Sequence, residues 1–146
     1  MAVPVAGKVL LDTNVFIGYL RAGLHAEWVL GRVSHSIRFL SAVVLMELRF
    51  GADTPRRKRA VDGIQRAFPL GRVIAPTPLV FEQAGRLFRT LHGAGLHDRL
   101  GPLNDLLIAL TAGQIGATVI TNNLEEFRRI AARVPGLRVV APLSVL

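Results

Sequence analysis

Three carboxylates in this chain lack the company that acidic side chains usually keep. Residues three and four positions apart share a helix face. Among the ten Asp and Glu residues, Glu82 has Arg86 at that distance, Asp62 has Lys58, Arg59 and Arg66, and Glu125 has Arg128 and Arg129, the pattern of solvated, paired faces. Glu47 instead has Val43, Val44, Phe50 and Gly51, and Asp105 has Gly101, Pro102, Ile108 and Ala109. Asp12 ends the apolar run Val9-Leu10-Leu11, and ligands of parallel α/β sheets bind just beyond the carboxyl ends of strands. A carboxylate on an apolar face is costly unless an arginine from elsewhere or a metal ion pairs with it. Taken singly, Glu47 reads as half of a structural ion pair and Asp105 as a helix N-terminal acid favoured by the dipole. Taken together, the three make a hard oxygen site of the kind that suits Mg²⁺ or Mn²⁺.

The elements that must position these acids alternate between strand and helix. Lys8 to Leu11 predicts a buried strand, followed by a helix through Val15, Phe16 and Leu20 with Asp12 or Asn14 as its N-cap. A helix over Ala26 to Val33, a strand over Ile37 to Leu40 and a Ser41-capped helix ending at Gly51 come next. Pro55 opens a helix over Arg56 to Phe68, a short strand covers Arg72 to Ala75, and Leu79 to Leu91 is an amphipathic helix. Gly93 to Pro102, with three glycines and Asp98, is the most loop-like stretch. A helix from about Leu103 to Gln114, a strand over Ala117 to Ile120, a turn at Thr121 to Asn123, a helix through Arg133 and a strand over Leu137 to Val140 complete the chain. Short apolar strands alternating with helices predict an α/β fold with a doubly wound parallel sheet flanked by helices. Neither a repeat nor a domain boundary interrupts residues 1–146, so one domain is expected.

Charge narrows the partners. Eighteen Lys and Arg against ten acids give a net charge of +8, and all but Lys8 and Lys58 of these cations are arginine. Guanidinium groups fork onto phosphates and stack on bases, which predisposes the chain to nucleic acid or to an acidic protein; a general bias toward arginine accounts for the composition equally well. The run Arg56-Arg57-Lys58-Arg59 opens a helix, where positive charge opposes the dipole. It reads either as an RNA contact or as a solvated surface. No run approaches the roughly 20 apolar residues of a membrane span, no signal peptide is legible at the start, and the absence of cysteine fits a reducing cytoplasm.

These residues resemble the PIN-domain family. Val9-Leu10-Leu11-Asp12-Thr13-Asn14 is similar to its opening block, and Ser41 to Ala52 (SAVVLMELRFGA) to its second, which sets Glu47 at the acidic position. Asn104 to Phe127 (NDLLIALTAGQIGATVITNNLEEF) is similar to the third and fourth, with Asp105 opening a helix and Thr121-Asn122-Asn123 leading to Phe127. The blocks occur in family order from Val9 to Phe127. The resemblance implies a single PIN-like domain in which Asp12, Glu47 and Asp105 gather around one or two Mg²⁺ or Mn²⁺ ions. Many members carry a fourth acid where Asn123 stands; here Asn123 or Glu126 would supply that ligand. Thr13, Asn14 and Thr121 would orient the carboxylates from behind, although capping and turn formation explain them equally well. The activity implied is that of VapC-type toxins: endoribonucleases that cut structured RNA, leave 5′-phosphate and 3′-hydroxyl ends, form homodimers in the cytoplasm and are silenced by a VapB-type antitoxin.

Rival phosphate chemistries lack their residues. No Gly-x-x-x-x-Gly-Lys loop is present, and Gly113-Gln-Ile-Gly116 follows a helix instead of a strand. An Asp-first phosphatase wants a second acid where Asn14 stands, and a receiver domain wants a late lysine. His25, His35, His92 and His97 show no metal-ligand spacing and read as surface or loop residues, with His92 and His97 the nearest to a substrate. A module of the same fold that grips RNA or protein without cutting is the alternative from another class.

Overall fold

The computed structural model describes residues 6–93 and 100–142, residue 100 by its backbone alone. The expected loop from Gly93 to Pro102 falls mostly on residues 94–99, His97 and Asp98 among them, which lie outside the described residues. Five parallel strands form one sheet in the order β3-β2-β1-β4-β5. They are β1 (Gly7–Leu11), β2 (Ser36–Ser41), β3 (Val73–Ile74), β4 (Thr118–Ile120) and β5 (Val139–Val140). Val9, Leu10 and Leu11 of the central strand are completely buried, as expected where a parallel sheet is covered on both faces and no strand side needs to meet water. The edge strands β3 and β5 are shorter than the sequence predicts. Pro76 and Pro142, which cannot donate to a ladder, stand just beyond them, and Leu70–Arg72 is wound into a 3-10 turn.

From β1 the chain builds outward through β2 to β3, then returns to lay β4 and β5 on the other side. The switch between these directions lies between β1 and β4, the place where open α/β sheets leave a crevice beyond the strand ends. The register pairs Leu11 with Ile120, so the next residues, Asp12 and Thr121, emerge side by side. The Asp12 N–H donates to the Ile120 carbonyl at 2.9 Å, and the Thr121 N–H to that of Val140 at 3.0 Å.

The helices are α1 (Thr13–Ala22), α2 (Ala26–Val29), α3 (Ala42–Phe50), α4 (Pro55–Arg66), α5 (Pro78–His92), α6 (Leu100–Ile115) and α7 (Leu124–Ala131). Their starts follow local chemistry. The hydroxyl of Ser41 accepts the Val43 N–H at 3.1 Å, while Thr54 and Thr77 cap helices whose first residue is proline, a position where its missing N–H costs nothing. The second helix ends sooner than the predicted Val33, because the backbone turns left-handed at Gly31 (φ +73°).

Helix α6 is the spine of the molecule. Leu106, Ile108, Ala109 and Ala112 are completely buried, and the helix packs along α5 and against α3, α7, β1 and β4. It also begins three residues before the predicted Leu103, since Pro102 falls in its first turn, where proline is tolerated. Asp105 therefore lies beyond the first turn, where the helix dipole has faded. Helix-start stabilisation no longer accounts for this acid. Among the described residues no helix is long and apolar enough to cross a membrane.

Candidate active site

Asp12 leaves the carboxyl end of β1 only 4% exposed. Its Oδ1 accepts the Thr13 N–H at 2.8 Å, and its Oδ2 accepts the Thr121 hydroxyl at 2.8 Å. Burial raises its pKa to about 6; these two hydrogen bonds pull the other way, and the charge of Glu47 adds a smaller upward push. Glu47 comes in from α3, in the middle of a helix whose Val43, Val44 and Leu48 fill the core. Its Oε1 accepts the Thr13 hydroxyl at 2.7 Å, and among the described residues it has no cationic partner. Thr13 thus ties two of the three acids together, its backbone holding Asp12 and its side chain Glu47.

Asp105 comes in from the spine helix. Among the described residues it has neither a hydrogen-bond nor a salt-bridge partner. Burial, followed by the charges of Asp12, Glu47 and Glu126, pushes its pKa up to about 8. A carboxyl that ionises so late carries the signature of like charges crowded into a poorly solvated place.

The two candidates for a fourth acidic position differ in their surroundings. Asn123 is exposed, makes no side-chain cap to α7, and offers its backbone N–H to the Thr121 hydroxyl at 2.9 Å. Glu126, in the first turn of α7, is turned inward beside Phe127 with 24% of its side chain exposed. Its Oε1 is buried without a hydrogen-bond partner among the described residues, and its charge reaches Asp105. Arg129 and His92 approach Glu126 no closer than 3.9 Å.

Thr121 and Asn14 complete the frame. The fully buried Thr121 hydroxyl donates to Asp12 while receiving the Asn123 N–H and, at 3.4 Å, the Asn14 side-chain amide. Asn14 Oδ1 in turn accepts the Asn122 N–H at 3.2 Å, so the turn after β4 is fastened to α1. The run Arg56-Arg57-Lys58-Arg59 is exposed along the start of α4, away from this frame in sequence and partly neutralised, since Arg57 donates to Asp53 at 2.6 Å.

One residue in this region departs from its sequence reading. His92 is no loop residue: it closes α5 with 9% of its side chain exposed, beside Glu126. The signal was its spacing, for Val80, Ala84, Phe88 and His92 recur every four residues on the face that α5 turns inward.

A divalent cation fits the chemistry of this donor set. The groups are hard oxygens, one of them is orphaned in the interior, and among the described residues three of the four acids have no cationic partner. Among the described residues no three acids or histidines already stand close enough to hold an ion, so the carboxylates would have to close in on one.

The sequence of residues 9–133 matches the family model described as the PIN domain. The chain is 31% identical over 135 residues to the tRNA(fMet)-specific endonuclease VapC of Salmonella typhimurium, covering 90% of this chain and 96% of that protein. Its fold is similar to a toxin-antitoxin complex from Klebsiella pneumoniae (TM-score 0.65, 23% identity, 94% and 99% of the two chains covered) and to DNA-bound VapBC from Salmonella typhimurium (TM-score 0.64, 23% identity, 95% and 100% covered). The chain belongs to the PIN-domain family, in its VapC branch.

Proposed function

We propose that the protein is a metal-dependent endoribonuclease, the toxin of a type II toxin–antitoxin pair, whose centre is built from Asp12, Glu47, Asp105 and Glu126. The observation that carries this reading is the partly buried Asp105, which has no hydrogen-bond or ion-pair partner among the described residues and whose carboxyl is pushed up to about 8 first by burial and then by the charges of Asp12, Glu47 and Glu126. Carboxylates brought near one another in a poorly solvated place disfavour the fold until a cation joins them. Glu126 is preferred to Asn123 as the fourth ligand because its Oε1 is buried without a partner, whereas Asn123 faces solvent.

When bound, Mg²⁺ or Mn²⁺ supplies Lewis acidity, making water a nucleophile near neutral pH and neutralising charge on phosphate oxygens. The protein's part is to hold the oxygens ready. Thr13 and Thr121 fix both oxygens of Asp12, Thr13 fixes Glu47, and Asn14 braces Thr121. With water activated in this way no protein nucleophile is needed, and the chemistry is hydrolysis. The net charge of +8 draws in the phosphate backbone, and the activity named for the Salmonella typhimurium relative supports RNA as the polymer. On α3, the helix that carries Glu47, Met46 is 53% and Phe50 95% exposed; exposed apolar side chains so near Glu47 in sequence suit a protein partner, here the antitoxin. A cysteine-free chain without a membrane-crossing helix among its described residues suits the cytoplasm.

The test is cleavage of a structured RNA by the purified protein in Mn²⁺, in Mg²⁺ and in chelator. Internal cuts leaving 5′-phosphates are expected with either metal, lost in chelator and lost in Asp12→Asn, Glu47→Gln and Asp105→Asn proteins of unchanged circular dichroism. RNA that is bound but never cut would establish a binding module instead.

A further inference from the structure

Three buried side-chain polar atoms lack a hydrogen-bond partner among the described residues, and two of them face each other: His92 Nε2 and Glu126 Oε1, 3.9 Å apart. An orphaned donor or acceptor in the interior is unfavourable, and the remedy nearest to each is the other. Their separation exceeds a hydrogen bond by about 1 Å. The imidazole is not free to go elsewhere, since it lies on the inward face of α5 with its ring against Phe88 at a centroid distance of 4.8 Å. Glu126 sits on the first turn of α7, and its other neighbour, Arg129, is half exposed and engaged with the Leu91 carbonyl.

We propose that His92 is a positioning residue for Glu126: its Nε2–H donates to Oε1 and fixes the orientation in which that carboxylate meets the divalent ion. The inference rests on Glu126 being a metal ligand, as proposed above. Carboxylates that bind metals are themselves held by hydrogen bonds from behind, and removing such a partner weakens metal binding about 10–100-fold.

The experiment is calorimetric titration of Mn²⁺ into the wild type, His92→Phe, His92→Gln, Glu126→Gln and the double variant His92→Phe with Glu126→Gln. Phenylalanine keeps the packing on Phe88 without the donor, and glutamine returns an N–H near the reach of Nε2. His92→Phe should weaken Mn²⁺ binding about 10–100-fold, His92→Gln should recover most of that loss, and His92→Phe should change little once Glu126 is glutamine. Wild-type affinity in His92→Phe, equal losses in both His92 variants, or an undiminished loss in the Glu126→Gln background would each overturn the role. Should His92→Phe fail to fold, the imidazole ¹⁵N spectrum decides. The Nε2 resonance of His92 should move on Glu126→Gln in chelator, and a stationary resonance refutes the contact. A wild type that takes up no Mn²⁺ defeats the metal reading of the centre itself, which the ¹⁵N result distinguishes from a failure of the His92 contact.

Discussion

Replacing Asp105 by asparagine should stabilise the metal-free protein. The Asp105 carboxyl has its pKa raised from 3.8 to about 8, so the folded state holds a proton that the unfolded chain releases near pH 4. Stability then falls as pH climbs above about 4 and levels off only above about 8. At about 1.4 kcal/mol per tenfold change in proton affinity, the upper bound on this cost at pH 8 is about 5 kcal/mol. Water reaching the partly exposed side chain lowers the cost to the order of 2 kcal/mol. Asparagine keeps the shape and removes the charge, and for a chain of this size 1 kcal/mol moves the melting temperature by about 2–4 °C. In chelator at pH 8, Asp105→Asn should therefore melt about 4–8 °C above the wild type, and the two should nearly coincide at pH 4. Millimolar Mn²⁺ should reverse the order: a ligand at a hundred times its Kd stabilises the wild type by about 2.7 kcal/mol, while the variant gains little. Circular-dichroism melts across that pH range suffice. A variant that melts below the wild type in chelator at pH 8, or a difference that does not grow with pH, would make Asp105 a satisfied structural acid and refute the crowding argument.

Thr121→Val removes the hydroxyl that holds Asp12 Oδ2 at almost no change in volume. The Asp12 pKa should rise further above about 6, and the protein should lose about 2 kcal/mol of stability at pH 8, read by carboxyl ¹³C titration and by melting; an unmoved titration would mean that Thr121 is only a turn residue. Changing Arg56, Arg57, Lys58 and Arg59 to glutamine should weaken RNA binding and flatten its dependence on salt, by about 0.7 in logarithmic slope for each lost contact to single-stranded RNA. A slope equal to the wild type's would return the run to ordinary surface, which its exposure and the Arg57–Asp53 pair already favour in part.

The central architecture was legible because its signals are local. Val9-Leu10-Leu11 is wholly apolar because β1 is central, Ser41 caps α3 as its place before an apolar helix says it should, and Pro55 opens α4. The odd acids Asp12, Glu47 and Asp105 were visible as missing neighbours on their own helix or strand. What escaped depended on tertiary contacts. The early start of α6 required Pro102 to be read as a first-turn residue instead of a breaker, and the choice between Asn123 and Glu126 turns on which way α7 rolls, decided by Phe127 and Ile130 entering the core. The burial of His92 was written in a four-residue spacing along α5, but its approach to Glu126 joins residues 34 positions apart, beyond any helix periodicity.

The most direct test of the four-carboxylate centre is an anomalous diffraction map from crystals of the wild type soaked in Mn²⁺. The account predicts a strong peak bounded by carboxylate oxygens of Asp12, Asp105 and at least one of Glu47 and Glu126, at the short oxygen contacts, close to 2.0–2.1 Å for Mg²⁺, that small divalent ions demand, and no such peak in Asp105→Asn. A map with manganese elsewhere on the surface and none among these acids would contradict it.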